Sequence, residues 1–232
     1  MKNYLFILTV LFLFTGIPDA KVLAQTDTIL YPPCAEMEVP HYVAYRTADE
    51  VQIDGVLDEY VWQNAPRSPR FRDMIYGEEA IHDTRAAVLW DDKYLYVAYW
   101  IEEPDLQATL TERDAPIYQD NDVEFFIAGQ DGYYEFEINS FGTIYEVLFF
   151  WEAAYKAGGY ETIEELAVDK PGVRPFNGVG YKNHPLGPRI GFWNWDLPGL
   201  LTAVSLDGTI NDSSDRDRGW TVELAIPWEG LE

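Results

Sequence analysis

The sequence predicts an all-β fold, an antiparallel β-sandwich of jelly-roll type with one short helix and a long aromatic loop. Two observations lead there. Short runs rich in β-branched and aromatic residues recur along the chain, divided by turn residues, and only one brief segment near residue 60 has helical character. The stretch AAVLWDDKYLYVAYWIEEPD reads as strands Ala86 to Trp90 and Tyr94 to Ile101 joined by a tight turn at Asp91-Asp92-Lys93. In the second strand Tyr94, Tyr96, Ala98 and Trp100 fall on one side and Leu95, Val97, Tyr99 and Ile101 on the other, so both faces are apolar, as an inner strand requires.

Taken in order, the chain opens on an address. Lys2, the apolar run Leu5 to Phe14 and the small-residue pattern Val22-Leu23-Ala24 before Gln25 mark residues 1–24 as a signal peptide cleaved near Ala24. The apolar run is short of the ~20 residues that a membrane span needs, so the expectation is a secreted, periplasmic or cell-surface protein with no membrane insertion. Residues 25–41, with Pro32, Pro33 and Pro40, form a linker ahead of a domain over 42–232. Cys34 is the only cysteine, so no intrachain disulfide supports the fold.

VQIDGVLDEYVWQNAP then predicts a short strand, a turn at Asp54-Gly55, and helical turns from Leu57 to Asn64 that stop before Pro66, with Trp62 pinning them to the sandwich. Strands at Val123 to Ala128, Tyr133 to Asn139 and Ile144 to Trp151 follow as a meander, separated by Gln130-Asp131-Gly132 and Phe141-Gly142. Ala153 to Gly199 is glycine- and proline-rich and carries Phe192, Trp193 and Trp195, a long loop whose aromatic content points to function rather than disorder. From Trp220 to Ile226 apolar residues alternate with Thr221, Glu223 and Ala225, the pattern of a half-buried strand. The chain then stops without a closing strand, so the sandwich is expected to lack strands at its C-terminus.

Lys and Arg number 16 against 40 Asp and Glu, a net charge of -24, and loss of Lys2, Lys21 and Asp19 with the signal peptide brings it to about -25. Nucleic acid and anionic membranes would be repelled. A neutral ligand or a cation suits this charge, and carboxylates clustered in turns suit calcium, a hard ion that takes oxygen ligands. The tightest such clusters are Asp54 with Glu59, Asp91 with Asp92, and Asp120 with Asp122.

No phosphate loop, nucleophile elbow or zinc-protease motif is present, and His41, His82 and His184 stand in separate segments. Asp120, Asp122 and Glu124 share a face at one strand start, and Glu135 and Glu137 share a face of the next. That keeps a glycoside hydrolase, or an accessory domain of one, in view, since hydrolysis needs two carboxylates ~5 to 10 Å apart. Eight tryptophans and sixteen tyrosines exceed what a core of this size needs. Tyr118, Trp151, Trp193 and Trp195 sit where burial is doubtful, beside Glu and Asn. Sugar rings stack their C–H faces on such aromatics and share their hydroxyls with carboxylates and amides, so the content favours a non-catalytic carbohydrate site.

Four segments in order, IDGVLDEYVWQNAP, AAVLWDDKYLYVAYWIEEPD, QDNDVEFFIAGQDGYYEFEINSFGT and GWTVELAIPWEGL, resemble family 9 carbohydrate-binding modules over roughly Val51 to Leu231, especially the exported bacterial family-9-like proteins. The resemblance implies a β-sandwich, structural calcium and a cleft that clamps a xylan or glucan chain end between two aromatic rings. It places Glu124 at the strand glutamate of the V-E-x-F-I motif and Tyr118, six positions earlier, where the family has a clamp tryptophan. The family pattern F-R-V-N reads here Phe136-Glu137-Ile138-Asn139, a glutamate in place of the arginine that contacts sugar hydroxyls. The second clamp tryptophan would lie beyond residue 232, and Trp193 or Trp195 is the candidate to face Tyr118 instead. The expected ligand set is therefore Tyr118, Glu124, Glu137, Asn139, Trp193 and Trp195. Some related sandwiches carry haem on a Met/His pair, which here would have to come from Met37 or Met74.

Overall fold

The computed structural model describes residues 40–73, 75–177 and 186–231. The chain divides into Met1–His41 and Tyr42–Glu232. Of the first unit only Pro40 and His41 are described, so the signal-peptide and linker readings, with Cys34 and Met37, lie outside the described residues, as do Met74 and His184. Among the described residues no helix is long and apolar enough to cross a membrane.

The second unit is a sandwich of two five-stranded sheets. In chain order the strands are β1 (Tyr45–Arg46), β2 (Thr84–Trp90), β3 (Tyr94–Glu102), β4 (Asp122–Ala128), β5 (Gly132–Asn139), β6 (Ile144–Trp151), β7 (Val173–Phe176), β8 (Arg189–Phe192), β9 (Leu201–Asp207) and β10 (Gly219–Pro227). One sheet runs β1-β2-β3-β10-β9 and the other β4-β5-β6-β8-β7. Every pairing is antiparallel except β1 with β2.

The two apolar faces of β3 have separate partners. Val97 and Tyr99, with Leu95 and Ile101, face the other sheet and pack with Val123, Phe136, Ile138, Ile144, Val222 and Leu224. Tyr96 and Ala98 look the other way, onto Val51, Val61, Trp62 and Ala65. A strand is apolar on both sides only when both sides are covered, and here residues 51–66 supply the second cover.

That cover overturns the half-buried reading of β10. Glu223 and Ala225 are completely buried, as are Val222 and Ile226. The Glu223 carboxylate is tolerated because it has three donors: Asp54 and Gly55 give their backbone N–H to Oε2 at 3.0 and 2.7 Å, and Trp62 gives its indole N–H to Oε1 at 2.7 Å. Gly55 has φ +83°, and a Cβ there would stand 2.6 Å from the Val204 carbonyl carbon, so glycine is required. Those bonds draw Val51 to Ile53 away from any ladder, so the short strand expected there does not form, and the helix α1 is confined to Tyr60–Asn64.

The interval expected to be one loop holds real structure. It contains the helix α2 (Glu152–Gly158) and the strands β7 and β8, which complete the second sheet. Pro175 within β7 masks the strand in the sequence, and it is accommodated because β7 is the sheet edge. The sequence reading also missed β9, the edge of the first sheet.

Candidate functional site

Strand register brings the site residues together. On the outer face of the second sheet Asp122 lies opposite Asn139, Glu124 opposite Glu137, and Phe126 opposite Glu135. On the other side of β5, Glu137 lies opposite Tyr145 and Glu135 opposite Val147. The face therefore begins with Asp122, Glu124, Glu135 and Glu137, passes through Tyr145, and ends in an aromatic field of Tyr133, Phe149, Phe176 and Trp193.

A 3₁₀ turn over Ile117–Gln119 lies against this face. Ile117 is fully buried against Tyr145, Val147 and Phe149, which fixes the turn and leaves the next side chain, Tyr118, 57% exposed. The Tyr118 ring meets Tyr145 edge to face at 6.0 Å. Tyr145 accepts the Trp193 indole N–H, and Trp193 in turn lies under the Arg174 guanidinium at 3.9 Å. Tyr118, Glu124, Glu137 and Trp193 thus belong to one face, the first two exposed, Trp193 partly so and Glu137 only 3% exposed.

The other two expected ligand residues are not presented on the surface of that face. Asn139 is completely buried and brackets loops: it donates to the Leu110 carbonyl at 2.9 Å and to Asp120 at 3.1 Å, and accepts the Phe141 and Thr143 N–H groups. Trp195 packs on Tyr134 and Phe136, residues on the core side of β5, so it cannot face Tyr118 across the outer surface. It lines instead a cleft of about 870 Å³ with Tyr134, Phe150 and Tyr160.

The acidic pairs expected to hold calcium have different fates. Asp91 is a turn bracket that accepts the Lys93 and Tyr94 N–H groups and the Tyr96 hydroxyl, and Asp92 pairs with Arg46 at 2.6 Å. Asp120 accepts from Thr109, Leu110 and Asn139. Burial alone would raise its pKa, but these hydrogen bonds outweigh burial and hold it below the usual carboxylate range. Asp54 and Glu59 do converge, together with Glu223, with one oxygen of each within 4.8 Å of the others. Both Glu59 oxygens are buried there without a hydrogen-bond partner.

Asp122, Glu124 and Glu137 form a second such group, again with one oxygen of each within 4.8 Å of the others. Burial, then the neighbouring charges of Asp122, Glu135 and Glu124, pushes Glu137 up to about 9. Burial and the Glu124 charge push Asp122 up to about 7, and burial does the same to Glu135. Sequence reasoning found these carboxylates as strand neighbours but missed Tyr145. Its position beside Glu137 depends on register between β5 and β6, which alternation within either strand does not contain.

Solved structures similar to the chain include a carbohydrate-binding candidate from Bacteroides uniformis, with 17% identity over 73% of this chain and a TM-score of 0.43; this chain spans 63% of that protein's length. Two structures of a carbohydrate-binding module family 9 from Caldicellulosiruptor kristjanssonii are also similar. The cellotriose complex has 17% identity over 78% of this chain and 82% of that chain, with a TM-score of 0.33. The glucose complex has 18% identity over 77% and 83%, with a TM-score of 0.34. No curated protein matches the chain. Residues 53–166, which carry β2 to β6 and both the exposed tyrosine and the acidic group, match the model of the carbohydrate family 9 binding domain-like family.

Proposed function

We propose that this protein is an exported, non-catalytic module that binds neutral plant-type oligo- or polysaccharide chains, xylan or glucan, on the outer face of its second sheet. The observation that carries the reading is Tyr118: an aromatic ring more than half exposed, held by buried Ile117, beside the exposed carboxylate of Glu124. A sugar ring stacks its apolar C–H face on such a tyrosine and its hydroxyls donate to the carboxylate. Trp193 borders the same face as a second aromatic. The family of residues 53–166 supports binding rather than turnover, and the net charge of -24 argues against nucleic acid as a partner.

The calcium implied by that family has a fitting place at Asp54, Glu59 and Glu223, because Glu59 offers two buried oxygens that no protein donor uses. Bound there it would tie the 51–66 cover to β10, a structural role.

Isothermal titration with xylo- and cello-oligosaccharides and their reduced alditols, in the presence of calcium, tests the binding reading. Heat with the sugars that is lost on Tyr118→Ala supports it, and loss on reduction of the chain end would identify end-on recognition. Absence of heat with every sugar, or heat unchanged by Tyr118→Ala, overturns it.

A further inference from the structure

Five carboxylates are buried among the described residues: Glu103, Glu137, Glu146, Asp217 and Glu223. Four of them have clear work. Glu103 accepts the Trp220 indole and the Asn121 amide, Glu146 the Arg113 guanidinium and the Leu197 N–H, Asp217 the Leu106 and Thr209 N–H groups, and Glu223 the three donors already described. This is the ordinary rule that a buried charge must be met by donors.

Glu137 breaks the rule. It is 3% exposed and its Oε2 is buried without a hydrogen-bond partner. Glu146 Oε2 is likewise unpartnered, but the other oxygen of Glu146 meets a guanidinium and an N–H, whereas among the described residues the groups that meet Glu137 are the carboxyls of Asp122 and Glu135. The charged groups around it are Asp122, Glu124 and Glu135, all of its own sign. Asp122 repeats the anomaly, with Oδ2 buried and unpartnered. Glu124 and Glu137 are directly opposed across β4 and β5, an arrangement that destabilises a sheet when both are charged. The two arginines of this face stand at its other end, Arg174 over Trp193 and Arg189 over Tyr133 and Phe176; Arg189 reaches Glu135, but neither arginine is among the charges that act on Asp122 or Glu137.

We infer that Asp122, Glu124 and Glu137 are the protein ligands of a divalent-cation site, with calcium the fitting ion. The donors are all hard carboxylate oxygens. Their mutual spacing within 4.8 Å is what one ion reached at 2.3–2.6 Å from each would impose. Three carboxylates offer up to six oxygens, and the exposed side at Glu124 leaves room for water to complete the shell. The site is separate from the Asp54, Glu59 and Glu223 group, which lies on the first sheet under α1. It shares Glu124 with the proposed sugar surface, but its test does not depend on that reading, since the ion is detected without any sugar.

Calcium chloride titrated calorimetrically into the metal-stripped chain reads the stoichiometry. Asp122→Asn with Glu137→Gln replaces two carboxyls of a mutually repelling group by amides of the same shape, which preserves the packing of the strands. Glu124→Gln, at an exposed position, provides a second variant that folds in any case. The expected result is one ion fewer per chain in the double variant, or at least tenfold weaker binding in Glu124→Gln, with binding lost in Glu59→Gln unaffected by either change. Equal stoichiometry and affinity in all three chains would overturn the site. So would a parent chain that takes up no calcium at millimolar concentration, because the group would then be held by protons alone.

Discussion

The indole N–H of Trp62 reaches the carboxylate of Glu223 at 2.7 Å, linking residues 161 positions apart through the middle of the first sheet. Both side chains are buried, to 1% and 0% exposure, so neither has water to fall back on. The same carboxylate closes the turn at Gly55. One acidic residue on β10 thereby holds the helix, the turn and the strand in a single arrangement.

Trp62→Phe keeps most of the packing and deletes one donor from that carboxylate. The expected loss is about 1–3 kcal/mol of unfolding free energy, the cost of a buried polar group deprived of its partner. Glu223→Ala leaves three donors unmet and should cost more. Urea unfolding of the two variants measures the difference, and an unchanged midpoint in Trp62→Phe would mean that the bond contributes no net stability.

Much of this architecture is legible in the chain because β3 to β6 are strongly patterned and punctuated by Asp91-Asp92-Lys93, Gln130-Asp131-Gly132 and Phe141-Gly142. The burial of Glu223 is not. A glutamate that alternates with apolar residues reads as solvent-facing, and its burial depends on a cover segment more than 150 residues away. The same limit hides β7, where Pro175 argues against a strand until the edge position of that strand is known.

Glu146 predicts a pH dependence. It is buried on β6, and burial pushes its pKa from 4.5 up to about 7 against the opposing pull of the Arg113 guanidinium and the Leu197 N–H. Between these values the folded chain binds more protons than the unfolded one. The contribution of this group is therefore fully present below about pH 4.5 and declines as pH rises through about 7. We expect the thermal midpoint to fall more steeply between pH 5 and pH 8 in the parent chain than in Glu146→Gln, whose amide oxygen still accepts both bonds. Parallel curves would show that Glu146 does not titrate in this window.

Tyr118→Ala separates recognition from folding. Its ring is 57% exposed, so unfolding free energy should change by no more than about 0.5 kcal/mol. Loss of a stacking surface worth about 1 kcal/mol should weaken oligosaccharide binding roughly fivefold. A parallel loss of stability and affinity would instead make Tyr118 a support for Tyr145.

The site is legible in part, for a physical reason. That Glu124 and Glu137 share a face follows from alternation along β4 and β5, whereas Tyr118, in the turn before β4, was singled out by the resemblance. The place of Asn139 was not legible, because whether an asparagine faces a ligand or brackets a loop depends on Leu110 and Asp120, which fold over it. Trp193 and Trp195 are two residues apart, yet the chain leaves β8 at Phe192 and turns, so strand parity no longer puts them on the same side.

That separation yields the last prediction. Trp195 packs on Tyr134 and Phe136 at the core side of β5, at centroid distances of 5.2 and 6.2 Å, so Trp195→Ala opens a cavity and should cost about 3 kcal/mol. Trp193 caps the outer face, giving its N–H to Tyr145 and its ring to Arg174 and Phe149. Trp193→Ala should release Tyr145 and disturb the surface beside Tyr118, weakening oligosaccharide binding more than Trp195→Ala does when both are compared well below their unfolding midpoints. Calorimetric affinity beside chemical unfolding for the two variants decides it. If Trp195→Ala proves the more damaging to sugar binding, the ligand occupies the cleft between Tyr134 and Tyr160, and the outer face of the second sheet is not the binding surface.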